Sequence, residues 1–413
     1  MAILKSVVKT IKARQILTSR GIPTVEVEFV MEGCSLFSSV PSGKSVGSME
    51  ACIHVDRKES YGGMSVYDVV EQIGLHKETL LNGSIESPEK YDDFLLNLDG
   101  TAAKKRLGSN FILPLSICCY KLCSHLSGLS LWRYFASKSG KKEGFPLPNF
   151  NLLNGGLHSG NELSCQEIMV CFDRGSYSEN LEAACCLFQS LKSLITEKFG
   201  SIYQSVGDEG GFAPPIKDTR EGIELLIAAG KRVQIGDFRV AMDFAANSFY
   251  KDEKYSFDGD VLSGRQLADC YLKICDEYKI IYSIEDPFAE SDFESWKYFY
   301  EKSNNKIRIV ADDLTVTNTI LIRKYANMKM FNTVLIKPNQ IGSVTETIEA
   351  INLCSDLGYK IMVSHRSAET EDTFVSSLAV GVSADYVKFG APCRGERISK
   401  YNELLRIEEE FNK

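Results

Sequence analysis

No CxxC pair, no cysteine–histidine grouping and no long apolar run occurs in this 413-residue chain, and each absence removes a class of protein. The thirteen cysteines stand singly or as the adjacent pairs Cys118-Cys119 and Cys185-Cys186. An odd number without metal-ligand spacing indicates neither a disulfide framework nor a zinc site, and is read as reduced core thiols. The first seventeen residues are interrupted by Lys5, Lys9, Lys12 and Arg14, which leaves no apolar core for a secretory leader. Nothing later approaches the roughly 18 apolar residues of a membrane span. The expectation is a soluble, cytoplasmic protein with no membrane span. Basic clustering is also missing: 47 Lys and Arg face 55 Asp and Glu, a net charge of −8, which argues against nucleic acid as a partner.

What is present is ordinary globular composition, 44% hydrophobic and 25% charged, over a length that allows one large or two medium domains. Residues 25–29 (VEVEF) alternate apolar and acidic, and residues 34–40 can return after Glu32-Gly33, so a β-hairpin is expected there. Helical spacing follows over 66–75, 88–96 and 111–134, and the GKKEG stretch at 140–144 is the candidate linker. The division predicted is an α+β N-terminal domain over 1–138 and a β/α barrel over 139–413.

The barrel is inferred from a change of rhythm. Six times a short apolar run is followed by an amphipathic segment, the helices expected at 266–279, 293–303, 318–327, 344–357, 372–382 and 397–411. Every run ends in a residue able to do chemistry: Asp243, Glu285, Asp312, Lys337, His365 and Lys388. In a β/α barrel those positions converge on one rim, where such folds build their active sites.

Asp243, Glu285 and Asp312 offer three hard oxygen donors, a set that suits magnesium better than zinc; the competing reading is salt bridging to Lys337 and Lys388. A lysine near a metal and a second ammonium should have a depressed pKa, which makes Lys337 a candidate base for removing a proton α to a carboxylate. Glu209, in the turn Gly207-Asp208-Glu209-Gly210-Gly211, and Glu167, after Asn154-Gly155-Gly156, are a candidate acid pair in which one carboxyl raises the other. Pro41-Ser42-Gly43-Lys44-Ser45-Val46-Gly47 lacks the first glycine of a nucleotide P-loop, since position 38 is serine; Ser45 is read instead as a cation ligand on a small-residue loop.

These residues resemble the enolase family, over nearly the whole chain. The likeness runs through Ser19-Arg20-Gly21, Pro23-Thr24-Val25-Glu26-Val27-Glu28, Val40-Pro41-Ser42-Gly43, Gln166-Glu167, the Glu209 turn, Ser283-Ile284-Glu285-Asp286-Pro287-Phe288, Val310-Ala311-Asp312-Asp313-Leu314, Ser364-His365-Arg366-Ser367 and Leu404-Leu405-Arg406-Ile407-Glu408-Glu409-Glu410. The resemblance implies a homodimer, and a barrel whose first strands and helices depart from simple alternation. It implies Mg2+-dependent, reversible dehydration of 2-phosphoglycerate to phosphoenolpyruvate in glycolysis and gluconeogenesis. Of two Mg2+ ions, Asp243, Glu285 and Asp312 would hold one, and Ser45 would hold the second, which depends on substrate. Lys337 would be the base and Glu209, supported by Glu167, the acid. Arg366 and Ser367 would bind phosphate and Lys388 the substrate carboxylate, with His158 and His365 as further active-site residues. The chain departs from the family pattern at Thr18, Ile22, Lys44, Val46, Pro114, Ala368 and Phe389. Other readings are a different reaction of the same superfamily on a non-phosphorylated acid, or a catalytically weak or non-catalytic relative with a structural or moonlighting binding role.

Overall fold

The computed structural model describes residues 3–43, 47–56, 59–140 and 144–413. Three antiparallel strands open the chain, β1 (Thr10–Leu17), β2 (Pro23–Val30) and β3 (Ser35–Ser39), with β2 in the centre. The expected hairpin is β2 with β3; β1 was not anticipated, because Lys12, Arg14 and Gln15 blunt its alternation. Five helices follow: α1 (Tyr67–Leu75), α2 (Lys77–Leu81) and α4 (Ser109–Leu126) pack on this sheet, α3 (Pro88–Asp99) packs on α4, and α5 (Leu131–Ser139) lies mainly against the barrel helix Phe374–Gly381. The single helix expected over 111–134 is two, because Gly128 adopts φ +67° and the chain bends by 94° between α4 and α5.

The rest closes a barrel. Its strands are β4 (Leu147–Asn154), β5 (Glu167–Cys171), β6 (Arg239–Asp243), then, after the small sheet β7 (Tyr250–Lys251), β8 (Lys254–Phe257) and β9 (Asp260–Leu262), β10 (Ile281–Glu285), β11 (Arg308–Ala311), β12 (Thr333–Ile336), β13 (Lys360–Ser364) and β14 (Tyr386–Lys388). The order around the barrel is β10-β11-β12-β13-β14-β4-β5-β6. The outer helices are α6 (Tyr177–Phe199), α7 (Thr219–Arg232), α8 (Gly264–Glu277), α9 (Phe293–Ser303), α10 (Thr319–Ala326), the single turn α11 (Pro338–Ile341), α12 (Val344–Asp356), α13 (Phe374–Gly381) and α14 (Gly395–Phe411). All six expected strand–helix units are there. β4 and β5 add two strands, and β5 runs antiparallel to both neighbours.

Packing divides the barrel along its axis. Val310, Leu335, Met362 and Tyr386 fill the interior as an apolar layer, and charged residues occupy the rim where the parallel strands end. The N-terminal unit closes over that rim. Ser42 and Ala368 exchange backbone hydrogen bonds at 2.9 and 3.0 Å, and the Ser19 N–H donates to the Glu369 carbonyl at 2.8 Å. Farther out, the Lys104 ammonium, from the loop before α4, donates to Glu346 of α12 at 2.6 Å. Among the described residues no single helix is long and apolar enough to cross a membrane; only α4 and α5 together meet the length, across their bend, and α4 is mostly buried. None of the thirteen cysteines, all among the described residues, is in a disulfide.

Candidate active site

Strand register gathers the candidates. Asp243 and Glu285 are the last residues of β6 and β10 and are paired in register, while Asp312, Lys337 and His365 each follow directly on β11, β12 and β13. Lys388 ends β14 beside Ser364. Glu167 reaches the same rim by the opposite route: β5 is antiparallel, so its first residue lies against Asp243. That inversion carries a residue from the start of a strand to the C-terminal face of the barrel.

Three buried carboxylates surround one ammonium. The Lys388 Nζ lies 2.8 Å from Asp243 Oδ2, 2.8 Å from Glu285 Oε1 and 3.0 Å from Glu167 Oε1. Burial works to discharge Lys388, but these acids outweigh it and hold the side chain charged, with a pKa well above the ordinary lysine value. Burial also pushes Glu285 well up, reinforced by Asp243, and among the described residues its Oε2 has no hydrogen-bond partner. Next along the rim, Lys337 is ion-paired with Asp312. The depressed pKa expected for Lys337 is therefore corrected: burial lowers it, but the Asp312 carboxylate outweighs burial and the net shift is upward. Asp312 also accepts from Gln340 Nε2 at 2.8 Å. The competing reading, salt bridges between these acids and lysines, describes these contacts.

The two members of the acid pair are shifted in opposite directions. Burial and the charge of Glu209 push Glu167 well above the ordinary carboxylate range. Burial also works to raise Glu209, but His365, His158 and Arg397 outweigh it and hold Glu209 well below that range. Glu209 Oε2 lies 3.1 Å from His365 Nε2 and accepts from Asn151 Nδ2 at 3.3 Å. Burial pushes the His365 pKa down to about 3, so the ring is neutral, and what it gives Glu209 is an N–H bond rather than a full charge. His158, also lowered by burial, sits between the two acids, its Nδ1 3.8 Å from Glu167 and 3.7 Å from Glu209.

Arg366 lies in the same cleft and donates to Glu50 with both terminal nitrogens, at 2.9 and 3.2 Å, and to Asn339 Oδ1 at 3.3 Å. Ser367 is buried beside it. Ser45, with Lys44 and Val46, lies outside the described residues. Sequence reasoning passed over Glu50, Gln340, Asp286, Asp313 and Arg397. Asp286 and Asp313 carried a signal, because each doubles an acid already singled out, and the carboxylates of Asp286, Asp312 and Asp313 lie within 4.8 Å of one another. Arg397 carried none.

Two family descriptions match along the chain. Residues 142–413 match the family described as "Enolase, C-terminal TIM barrel domain", and residues 8–135 match "Enolase, N-terminal domain". The chain belongs to the enolase family. It is 42% identical over 423 aligned positions to the enolase of Mastigamoeba balamuthi, covering 98% of this chain and 96% of that one. It is 41% identical over 408 positions to the enolase of Methanocaldococcus jannaschii, covering 98% and 95%. On these likenesses the chain is a lyase, a phosphopyruvate hydratase, of a family that uses a divalent metal.

The enolase-family rim suits such a metal by its own chemistry. Its buried carboxylates exceed what Lys388, Lys337 and Arg366 neutralise, three of them converge on a single cationic nitrogen, and one Glu285 oxygen is unpartnered among the described residues. The donors are oxygens, as a hard divalent ion prefers.

Proposed function

We propose that the chain interconverts 2-phosphoglycerate and phosphoenolpyruvate, with Lys337 as the base at C2 and the Glu167–Glu209 pair handling the proton that leaves with the C3 hydroxyl. The observation that carries this reading is the presence, in one cleft, of Lys337 ion-paired with Asp312, the buried Glu167–Glu209 pair and the Arg366–Ser367 corner. A proton α to a carboxylate needs a base positioned on it, and a departing hydroxide needs an acid; each contributes roughly 10²- to 10⁴-fold.

Lys337 must give up a proton before it can take one, so its bond to Asp312 has to yield during turnover. Arg366 exchanges Glu50 for the substrate phosphate, with Ser367 as a second donor, and Lys388 contacts the substrate carboxylate. His158 and His365 orient the acid pair. A divalent metal, Mg2+, held by Asp243, Glu285 and Asp312, with Ser45 for a second and substrate-dependent ion, would supply a Lewis acid for the substrate carboxylate and compete with Lys337 for Asp312. The non-catalytic alternative gains nothing from a cleft that keeps these groups together.

Family likeness also supports a homodimer, a role in glycolysis and gluconeogenesis, and division of the chain into an α+β domain over 1–138 and a barrel over 139–413. The free cysteines support a cytoplasmic location. The test is direct: phosphoenolpyruvate formation followed by ultraviolet absorbance, with and without Mg2+. Turnover that requires Mg2+ supports the reading, and no product at any Mg2+ concentration refutes it.

A further inference from the structure

Arg397, in the first turn of α14, is fully buried although it carries a charge, so its donors must be satisfied inside the protein. Its two terminal nitrogens are satisfied by the loops that carry the proton-handling residues, while Nε lies 3.4 Å from Glu396 Oε1. Nη1 donates to His365 Nδ1 at 2.7 Å and to the Arg366 carbonyl; Nη2 donates to the Ser367 carbonyl at 2.6 Å and the Asp208 carbonyl at 3.2 Å. One guanidinium thus joins the Glu209 turn to the corner that follows β13.

A guanidinium has donors and no acceptor. Any ring nitrogen that meets it must present a lone pair, so Nδ1 of His365 is bare and the ring proton sits on Nε2. That proton points at Glu209 Oε2, 3.1 Å away. Protonating the ring would turn an Nδ1–H against a cation.

We propose that Arg397 is a positioning residue for the acid pair: it fixes His365 as the neutral Nε2–H tautomer, which keeps Glu209 an acceptor. The inference rests on the reading of Glu209 and Glu167 given above. Gly390 leaves the room this arrangement needs, since a Cβ there would lie 2.9 Å from His365 Cε1 and 3.1 Å from Arg397 Cδ.

The test uses the full chain labelled with 15N-histidine, the His365 signals being assigned by single replacement of the other four histidines. Wild type should show a neutral ring with Nδ1 bare and Nε2 protonated. Arg397→Met removes the donors and should give a tautomer mixture and a kcat about 10- to 100-fold lower, the usual cost of losing an orienting partner. Arg397→Lys, which keeps a cationic donor, should retain the tautomer and recover part of the rate. An Nδ1–H tautomer or an imidazolium in wild type at neutral pH overturns the proposal even if the Met variant does not fold. So does a Met variant that keeps both tautomer and rate. Should wild type make no phosphoenolpyruvate, the substrate reading falls, while the nitrogen spectrum still decides the tautomer.

Discussion

Replacing Lys337 by alanine separates its two roles, as the cation opposite Asp312 and as the base at C2. In the metal-free protein the change strands a buried carboxylate. Removing one partner of a buried pair costs about 3–5 kcal/mol, and because Asp312 keeps its 2.8 Å bond from Gln340 the low end applies, about 3 kcal/mol. With an unfolding entropy of roughly 2.1 cal/mol/K per residue over 413 residues, that corresponds to a fall in Tm of about 3–4 °C. Saturating Mg2+ should reduce the deficit, since an ion at Asp312 supplies the missing positive charge. Turnover should behave differently, falling by at least about 10²-fold whether or not Mg2+ saturates. Calorimetry with and without Mg2+ reads the first role, and exchange of the C2 proton of 2-phosphoglycerate with solvent deuterium reads the second. A variant that exchanges that proton at the wild-type rate removes Lys337 from the role of base. One whose metal-free Tm does not fall refutes the electrostatic argument.

Glu209→Gln should retain part of the C2 exchange while losing dehydration by about 10²-fold, because base and metal ligands stay in place; equal loss of both activities would assign Glu209 to architecture. Gly390→Ala should cost roughly 2–4 kcal/mol in chemical denaturation, since φ is +86° and the new Cβ would lie 2.8 Å from the Glu209 backbone carbonyl, which cannot swing aside. His365, held near pKa 3 against an ordinary 6.5, stabilises the fold above pH 6.5 and loses that contribution as the pH falls toward 3. The Tm difference between wild type and His365→Asn should therefore narrow steadily over that range, as followed by thermal scans at stepped pH.

Local pattern was enough for the barrel's repeating half. A parallel strand buried on both faces reads as a short apolar run, and the residue at its C-terminal end is the next letter, so Asp243, Glu285, Asp312, Lys337, His365 and Lys388 were legible without coordinates. The glycine-rich loops pointed to Glu167 and Glu209 and the likeness of motifs supplied Arg366, and the cleft contains all three. β4 and β5 escaped because LPNFNLLN places Asn149, Asn151 and Asn154 inside the barrel, where a pattern reader expects apolar residues. The bend between α4 and α5 depends on one positive φ at Gly128.

Protonation was beyond any local signal. Whether Lys337 is charged depends on how near Asp312 comes, and the polarity of the Glu167–Glu209 pair depends on which member faces the histidines and which faces other acids. Arg397 reaches the Asp208 carbonyl across 189 residues of sequence, and Glu50 reaches Arg366 across 316. Residue types and strand endings are written one after another along the chain. Charge state, tautomer and partner choice arise from distance and burial between remote segments, and these acquire values only once the barrel has closed and the N-terminal unit has settled over its rim.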